Sequence, residues 1–251
     1  MIEDVVAEHW LTPIIWGIRL PYQLRWEYVL DNREWFIDGL ILALKLALVG
    51  LAFGSVIGII GAFLRSSGNK LAEAVVTAYV ELVRNVPLLL LVFIFHFGLP
   101  QAFPRRSTGQ ELVLDLLPTP ERTFMVALSI YAGAYLTEIF RAGIMSVGRR
   151  YLDAGRSLGL TRLQIARHVT LPIMLRAVLP SLSNTFISLF KDTGIAFFIG
   201  VRELSFAANK VNTDFFRPIE GWAAAGLLYL VTAWFLAFSL RFLEGRIKWS
   251  V

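Results

Sequence analysis

The 251-residue chain contains no cysteine, which excludes a disulfide framework, a thiolate metal site and a cysteine nucleophile. Charge is scarce too: 17% of residues are charged against 56% hydrophobic, and the mean hydropathy of +0.62 is far above what a soluble domain needs. Histidine occurs only at His9, His96 and His168, without the spacing of a metal-binding pair, so no metal is expected. His96 lies in an apolar run and reads as a packed core or interface residue. No Gly-x-x-x-x-Gly-Lys-Ser/Thr loop is present to cradle ATP, and no serine-centred nucleophile elbow is visible. The chain is therefore expected to be no enzyme and to hold no cofactor. A net charge of +5 raises the question of nucleic acid, but the charges fall between apolar runs and form no continuous basic face. No nucleic-acid partner is expected. The acidic start Met1-Ile-Glu-Asp lacks the basic region and cleavage site of a secretory signal, so the first membrane helix is read as the insertion signal.

What the sequence does contain is long apolar stretches. A membrane-spanning helix needs about 20 mostly apolar residues in a row, and the runs 39–64, 75–99, 124–147, 174–200 and 221–241 qualify. The expected fold is all-α, an integral membrane protein with five transmembrane helices embedded in lipid. Residues 1–38 form an interfacial amino-terminal segment with Trp10, Trp16, Trp26 and Trp35, residues 39–241 the membrane domain, and residues 242–251 a tail. In the first span Lys45 sits close to the start and can snorkel. Gly50, Gly54 and Gly58 recur at every fourth position there, which predicts close approach of a neighbouring helix.

Charge outside the spans predicts orientation. Residues 1–38 hold three Arg against seven acidic residues, whereas 141–171 holds six Arg against Asp153 alone. With five spans, the positive segments 65–74, 141–171 and 241–251 all fall on one side, which places the amino terminus outside and the carboxyl terminus in the cytoplasm.

The cytoplasmic loop 148–172 carries the most information. Its first helix is expected over 151–158, closed by Gly159, because glycine adopts the left-handed conformation without a Cβ penalty. Thr161 and Gln164 have the spacing of a capping box, with Leu160 and Ile165 in the staple positions, so a second helix starts there. Leu152, Leu158, Leu163 and Ile165 are available for packing, and Pro172 suits the first turn of the next span. A capped basic helix pair reads as a coupling element or as an amphipathic hairpin lying on anionic lipid.

Here the residues match a family. Asp153, Ala154, Gly155, Gly159, Ile165, Leu171 and Pro172 occupy the places of the EAA loop, so the chain resembles the permease subunits of bacterial ABC importers of type I fold. The resemblance implies that these residues couple the membrane helices to a cytoplasmic ATPase, which binds the ATP and magnesium. Asp153 replaces Glu and Gly155 replaces Ala, and glycine weakens a helix by about 1 kcal/mol relative to alanine. Upstream, Arg150-Tyr151 stands where the amino-acid branch commonly has Gly-Gln.

Charged and polar residues at membrane depth extend the resemblance to the polar amino-acid branch. Tyr79-Val-Glu-Leu-Val-Arg-Asn-Val-Pro87 places Glu81, Arg84 and Asn85 on one helical face, and Pro87 is expected to bend the helix. Glu138 and Arg141 repeat the three-residue spacing, while the fourth span contains Asn184, Lys191 and Asp192. Such groups face one another, a partner chain or water. Each pair reads either as a self-neutralising structural pair or as part of a translocation path, and Asn184 as a substrate contact or an interhelical hydrogen bond. The resemblance implies two cytoplasmic ATP-binding subunits, a second permease subunit identical or paralogous to this one, and an external amino-acid-binding protein, all at the bacterial inner membrane. The cargo it implies is a polar amino acid such as glutamate, aspartate or glutamine. An ATP-independent secondary transporter, and a membrane receptor or scaffold that docks a soluble partner, are the alternatives.

Overall fold

A computed structural model describes residues 14–15, 18–19, 22–102, 108–109, 111, 117 and 119–247. Trp10 and Trp16 of the expected interfacial segment lie outside the described residues. A two-rung antiparallel ladder pairs β1 (Ile14–Ile15) with β2 (Ile18–Arg19) ahead of the helices. After the short α1 (Glu27–Asp31), α2 (Arg33–Arg65) leads into α3 (Lys70–Asn85), α4 (Leu88–Gln101) and α5 (Pro120–Ser146). Then come α6 (Arg149–Ser157), α7 (Arg162–Ile199), α8 (Leu204–Phe215) and α9 (Pro218–Ile247).

Helices α2, α5, α7 and α9 are each long and apolar enough to cross a membrane, and α3 with α4 makes a fifth crossing if the bent pair counts as one. That second span is the main departure from a simple bundle. The chain turns by 106° between α3 and α4. Val86 is extended, because proline disfavours a helical conformation in the residue before it, and Pro87 caps the start of α4.

The buried centre is α5, where Phe124, Leu128, Leu136 and Phe140 are almost wholly enclosed. Against it α2 runs parallel, register 50 beside 128, 54 beside 132 and 58 beside 136. The glycine spacing makes this possible: a Cβ on Gly54 would lie 2.6 Å from the Ala132 Cβ, and one on Gly58 2.7 Å from the Leu136 Cβ. Lipid is as apolar as leucine, so association in a membrane draws on such close backbone contact rather than on hydrophobic transfer.

The carboxyl ends of α2, α5 and α9 and the amino ends of α3 and α7 thus share one end of the bundle, which carries α6 and is called the loop end. At the far end α8 packs on the start of α2, with Gly39 against the backbone of Glu203 and Leu204. The segment leading into α1 fastens there too. Glu220 accepts hydrogen bonds from the Tyr22 hydroxyl and the Arg25 amide, and Arg217 donates to the Gln23 carbonyl at 2.9 Å. On α9, Leu230, Trp234, Phe235 and Phe238 point outward, an apolar face suited to lipid.

Candidate functional site

The loop at the loop end is built as its residues predict. Helix α6 closes at Gly159, whose φ is +75°. The Gly159 amide donates to the Arg156 carbonyl and the Leu160 amide to the Gly155 carbonyl, the paired bonds of a Schellman ending. Thr161 then caps α7 reciprocally: its hydroxyl accepts from the Gln164 amide at 3.3 Å, and the Gln164 side chain accepts from the Thr161 amide at 2.8 Å. Gly155 is buried, and a Cβ there would stand 3.1 Å from Ile165 Cγ1, so the missing methyl lets Ile165 close over the turn.

The apolar residues of the loop divide by direction. Ile165 is buried, Leu152 and Leu171 pack against the core, and Leu158 and Leu163 remain 79% and 78% exposed. Around them Asp153 and Ala154 are exposed, with Asp153 paired to Arg156 at 3.0 Å. Two leucines are thus held open on a capped, basic turn.

Pro172 stands in the first turn of the regular α-helical stretch Leu171–Asp192, as its sequence position predicts, but no break precedes it: α7 runs unbroken from Arg162 to Ile199. A π turn over Ala166–Thr170 precedes the proline, and widening the ladder there accommodates a residue with no N–H to donate. The second loop helix and the fourth span are therefore one rod.

Farther along that rod lies a cavity of about 530 Å³ between α5 and α7, lined by Tyr131, Tyr135, Asn184, Ser188 and Asp192 among others. The α7 side is a polar stripe at helical spacing, Ser181, Asn184, Thr185, Ser188 and Asp192. On α5 the Tyr131 hydroxyl donates to the Tyr135 hydroxyl at 3.3 Å, and the Arg84 guanidinium lies over the Tyr135 ring at 5.0 Å. Sequence reading singled out Asn184 and Asp192 but passed over the two tyrosines and the hydroxyls. Their four-residue recurrence was the signal, masked because serine, threonine and tyrosine are ordinary in membrane helices.

The remaining residues sort by neighbour. Among the described residues Glu81 and Arg84 form no ion pair; Arg84 turns to Tyr135, and the Asn85 amide donates to the Glu81 carbonyl at 2.7 Å. Glu81, Asn85 and Pro87 are exposed and outside the cavity lining, as is Lys191, which does not pair with Asp192. Glu138 does pair with Arg141, at 3.1 Å, and also with Arg65 from the end of α2. Among the described residues no three His, Asp or Glu side chains converge as a metal site would require.

Residues 54–249 match the family described as the inner membrane component of binding-protein-dependent transport systems. The glutamine transport system permease protein GlnP of Escherichia coli (strain K12) is 34% identical over 226 residues, covering 90% of this chain and 99% of that protein. The probable glutamine ABC transporter permease protein GlnM of Bacillus subtilis (strain 168) is 34% identical over 88% of this chain and 96% of its own length. Among solved structures, an amino acid ABC transporter crystallised with histidines superposes with a TM-score of 0.78 at 28% identity, covering 90% of this chain and 100% of the other. This chain therefore belongs to the binding-protein-dependent transport system inner membrane component family, whose members are non-enzymatic membrane subunits of ABC importers that work with a separate ATPase and a substrate-binding protein.

Proposed function

We propose that the chain conducts a polar amino acid across the inner membrane, with a neutral amide amino acid such as glutamine as the favoured cargo. The observation that carries this is the cavity between α5 and α7. It offers one carboxylate, Asp192, to an α-ammonium group, and the rest of its lining is hydroxyl, amide or apolar; Arg84, outside the lining but over the ring of Tyr135, is the cation for an α-carboxylate. Balanced charges suit a zwitterion, and neutral hydrogen-bonding groups such as Asn184 suit an uncharged polar side chain. The names of GlnP and GlnM support the same cargo.

In this reading the loop end faces the cytoplasm, in keeping with its arginines, and the far end, with the amino terminus, faces outward. Asp153, Ala154, Gly155, Gly159, Leu171 and Pro172 form the coupling element, on which one of two cytoplasmic ATPases docks through Leu158 and Leu163. ATP and magnesium stay on those subunits. A second permease subunit, identical or paralogous, closes the open side of the cavity, and an external amino-acid-binding protein delivers the cargo. Residues 1–38 serve as an interfacial segment, 39–241 as the conducting domain and 242–251 as its cytoplasmic tail. ATP binding closes the motor, and the rod α7, which joins coupling turn and cavity in one helix, carries the movement between them.

The test is uptake of a panel of labelled amino acids into proteoliposomes holding the chain with its co-purifying partners, with and without Gly159→Val. ATP-dependent uptake of glutamine or a close analogue, lost in the variant while the complex stays assembled, is the expected result. Uptake indifferent to ATP would return the chain to the secondary transporters, and binding without uptake to the receptors.

A further inference from the structure

At the loop end, Glu138 is held between two guanidinium groups from different helices. One carboxylate oxygen pairs with Arg65, the last residue of α2, and the other accepts from Arg141 Nε at 3.2 Å and Nη2 at 3.1 Å on its own helix. The three side chains are largely enclosed, at 20%, 24% and 33% exposure, so solvent screens them weakly. They stand outside the lining of the cavity between α5 and α7. One turn away, Gly61 leaves so little space that a Cβ would meet the Thr137 hydroxyl at 2.6 Å. Eight residues beyond Glu138 helix α5 ends at Ser146, and α6 begins at Arg149.

From this arrangement we infer that Glu138 is a positioning residue for energy coupling: with Arg65 it binds the end of α2 to the stretch of α5 that leads into the coupling turn, so the two helices move as one body when that turn is pushed. The inference rests on the importer reading above. Its physical basis is the place of the ion pair at the one end of the α2 and α5 contact that receives the push. Farther along, glycine contacts hold the helices together by shape alone, which resists approach but offers little against sliding or twisting. A weakly screened charge contact adds resistance to separation, and Arg141 keeps the carboxylate aimed toward α2. Glu138→Gln leaves two guanidinium groups with no carboxylate between them, and Arg65→Gln removes the tie to α2 while Arg141 still neutralises Glu138, so in either variant the helix ends part.

The experiment uses the assembled complex in proteoliposomes and reads uptake per ATP hydrolysed, for Glu138→Gln and Arg65→Gln. Because the chain has no cysteine of its own, spin labels placed on Ser66→Cys and Ala142→Cys before assembly with its partners report the distance between the two helix ends. In the unsubstituted complex uptake must depend on ATP; if it does not, the importer reading fails before the inference is reached. Given that dependence, both variants should hydrolyse ATP while uptake per ATP falls about two- to thirtyfold, the range that coupling substitutions span. The label distance should stay narrow in both nucleotide states without the substitutions and broaden with either. A role in stability alone would reduce the amount of complex but leave the ratio unchanged. Wild-type ratios with an unbroadened distance in both variants would overturn the inference.

Discussion

At Gly159 the backbone alone restricts the residue: φ is +75° and a Cβ would meet nothing within 4 Å. Substitution should therefore follow tolerance of the left-handed region rather than size. Gly159→Asn is expected to retain most uptake and Gly159→Val to lose it, since a β-branched residue is a true outlier at positive φ. Glu203 poses a different constraint. It is fully buried at the start of α8, accepting from the Ser205 amide at 2.8 Å, the Phe206 amide at 3.1 Å and the Tyr229 hydroxyl at 2.6 Å. Burial pushes its carboxyl above the usual range, while the bonds from Tyr229, Ser205 and Phe206 pull the other way. A carboxyl raised in the fold adds stability below its unfolded pKa, and that stability is lost as pH rises through the folded value. Thermal melts should thus show this contribution fading as pH rises above the ordinary carboxyl range. Glu203→Gln should flatten the dependence and cost about 1–3 kcal/mol, because its amide nitrogen faces backbone donors.

Among the elements, the parallel contact of α2 with α5 is close-packed along its length and open to direct test. Gly54→Ala would place a methyl 2.6 Å from the Ala132 Cβ and 3.1 Å from the Gly133 nitrogen. Overpacking of this kind costs about 1–3 kcal/mol, and denaturation in mild detergent would register it as a lower midpoint. A substitution on the outward face of the same helix, Val56→Ala, should leave the midpoint nearly unchanged, since Val56 is 55% exposed. The glycine spacing in the sequence announced this contact, and the capping residues announced the turn between α6 and α7. Neither could announce that α7 continues through Pro172. Local rules end a helix near a proline, and only a widened turn, held by packing on both sides, lets this one run on.

For the whole molecule, the proposed orientation rests on where the arginines collect, and the absence of cysteine from the chain makes it open to labelling. A single cysteine at Ser67, exposed at the loop end, should react with an impermeant thiol reagent only from the cytoplasmic face, and one at Phe216, which is 83% exposed at the far end, only from outside. Reversed labelling would invert the assignment. The cavity belongs to this scale too, since its lining comes from helices about fifty residues apart in sequence, Tyr131 and Tyr135 on α5 facing Ser181 to Asp192 on α7.

By itself the sequence determined the apolar runs, the glycine face of α2 and the capped turn between α6 and α7, because each rests on hydropathy or a spacing within a few residues. The tertiary structure alone decided the partners of the charged groups. Arg84 left Glu81 for the ring of Tyr135, and Glu138 acquired Arg65 from a helix 73 residues away. A three-residue spacing shows only that two side chains can meet. Which partner a charge takes at membrane depth depends on what the neighbouring helices place within reach, and that is set by how the helices pack.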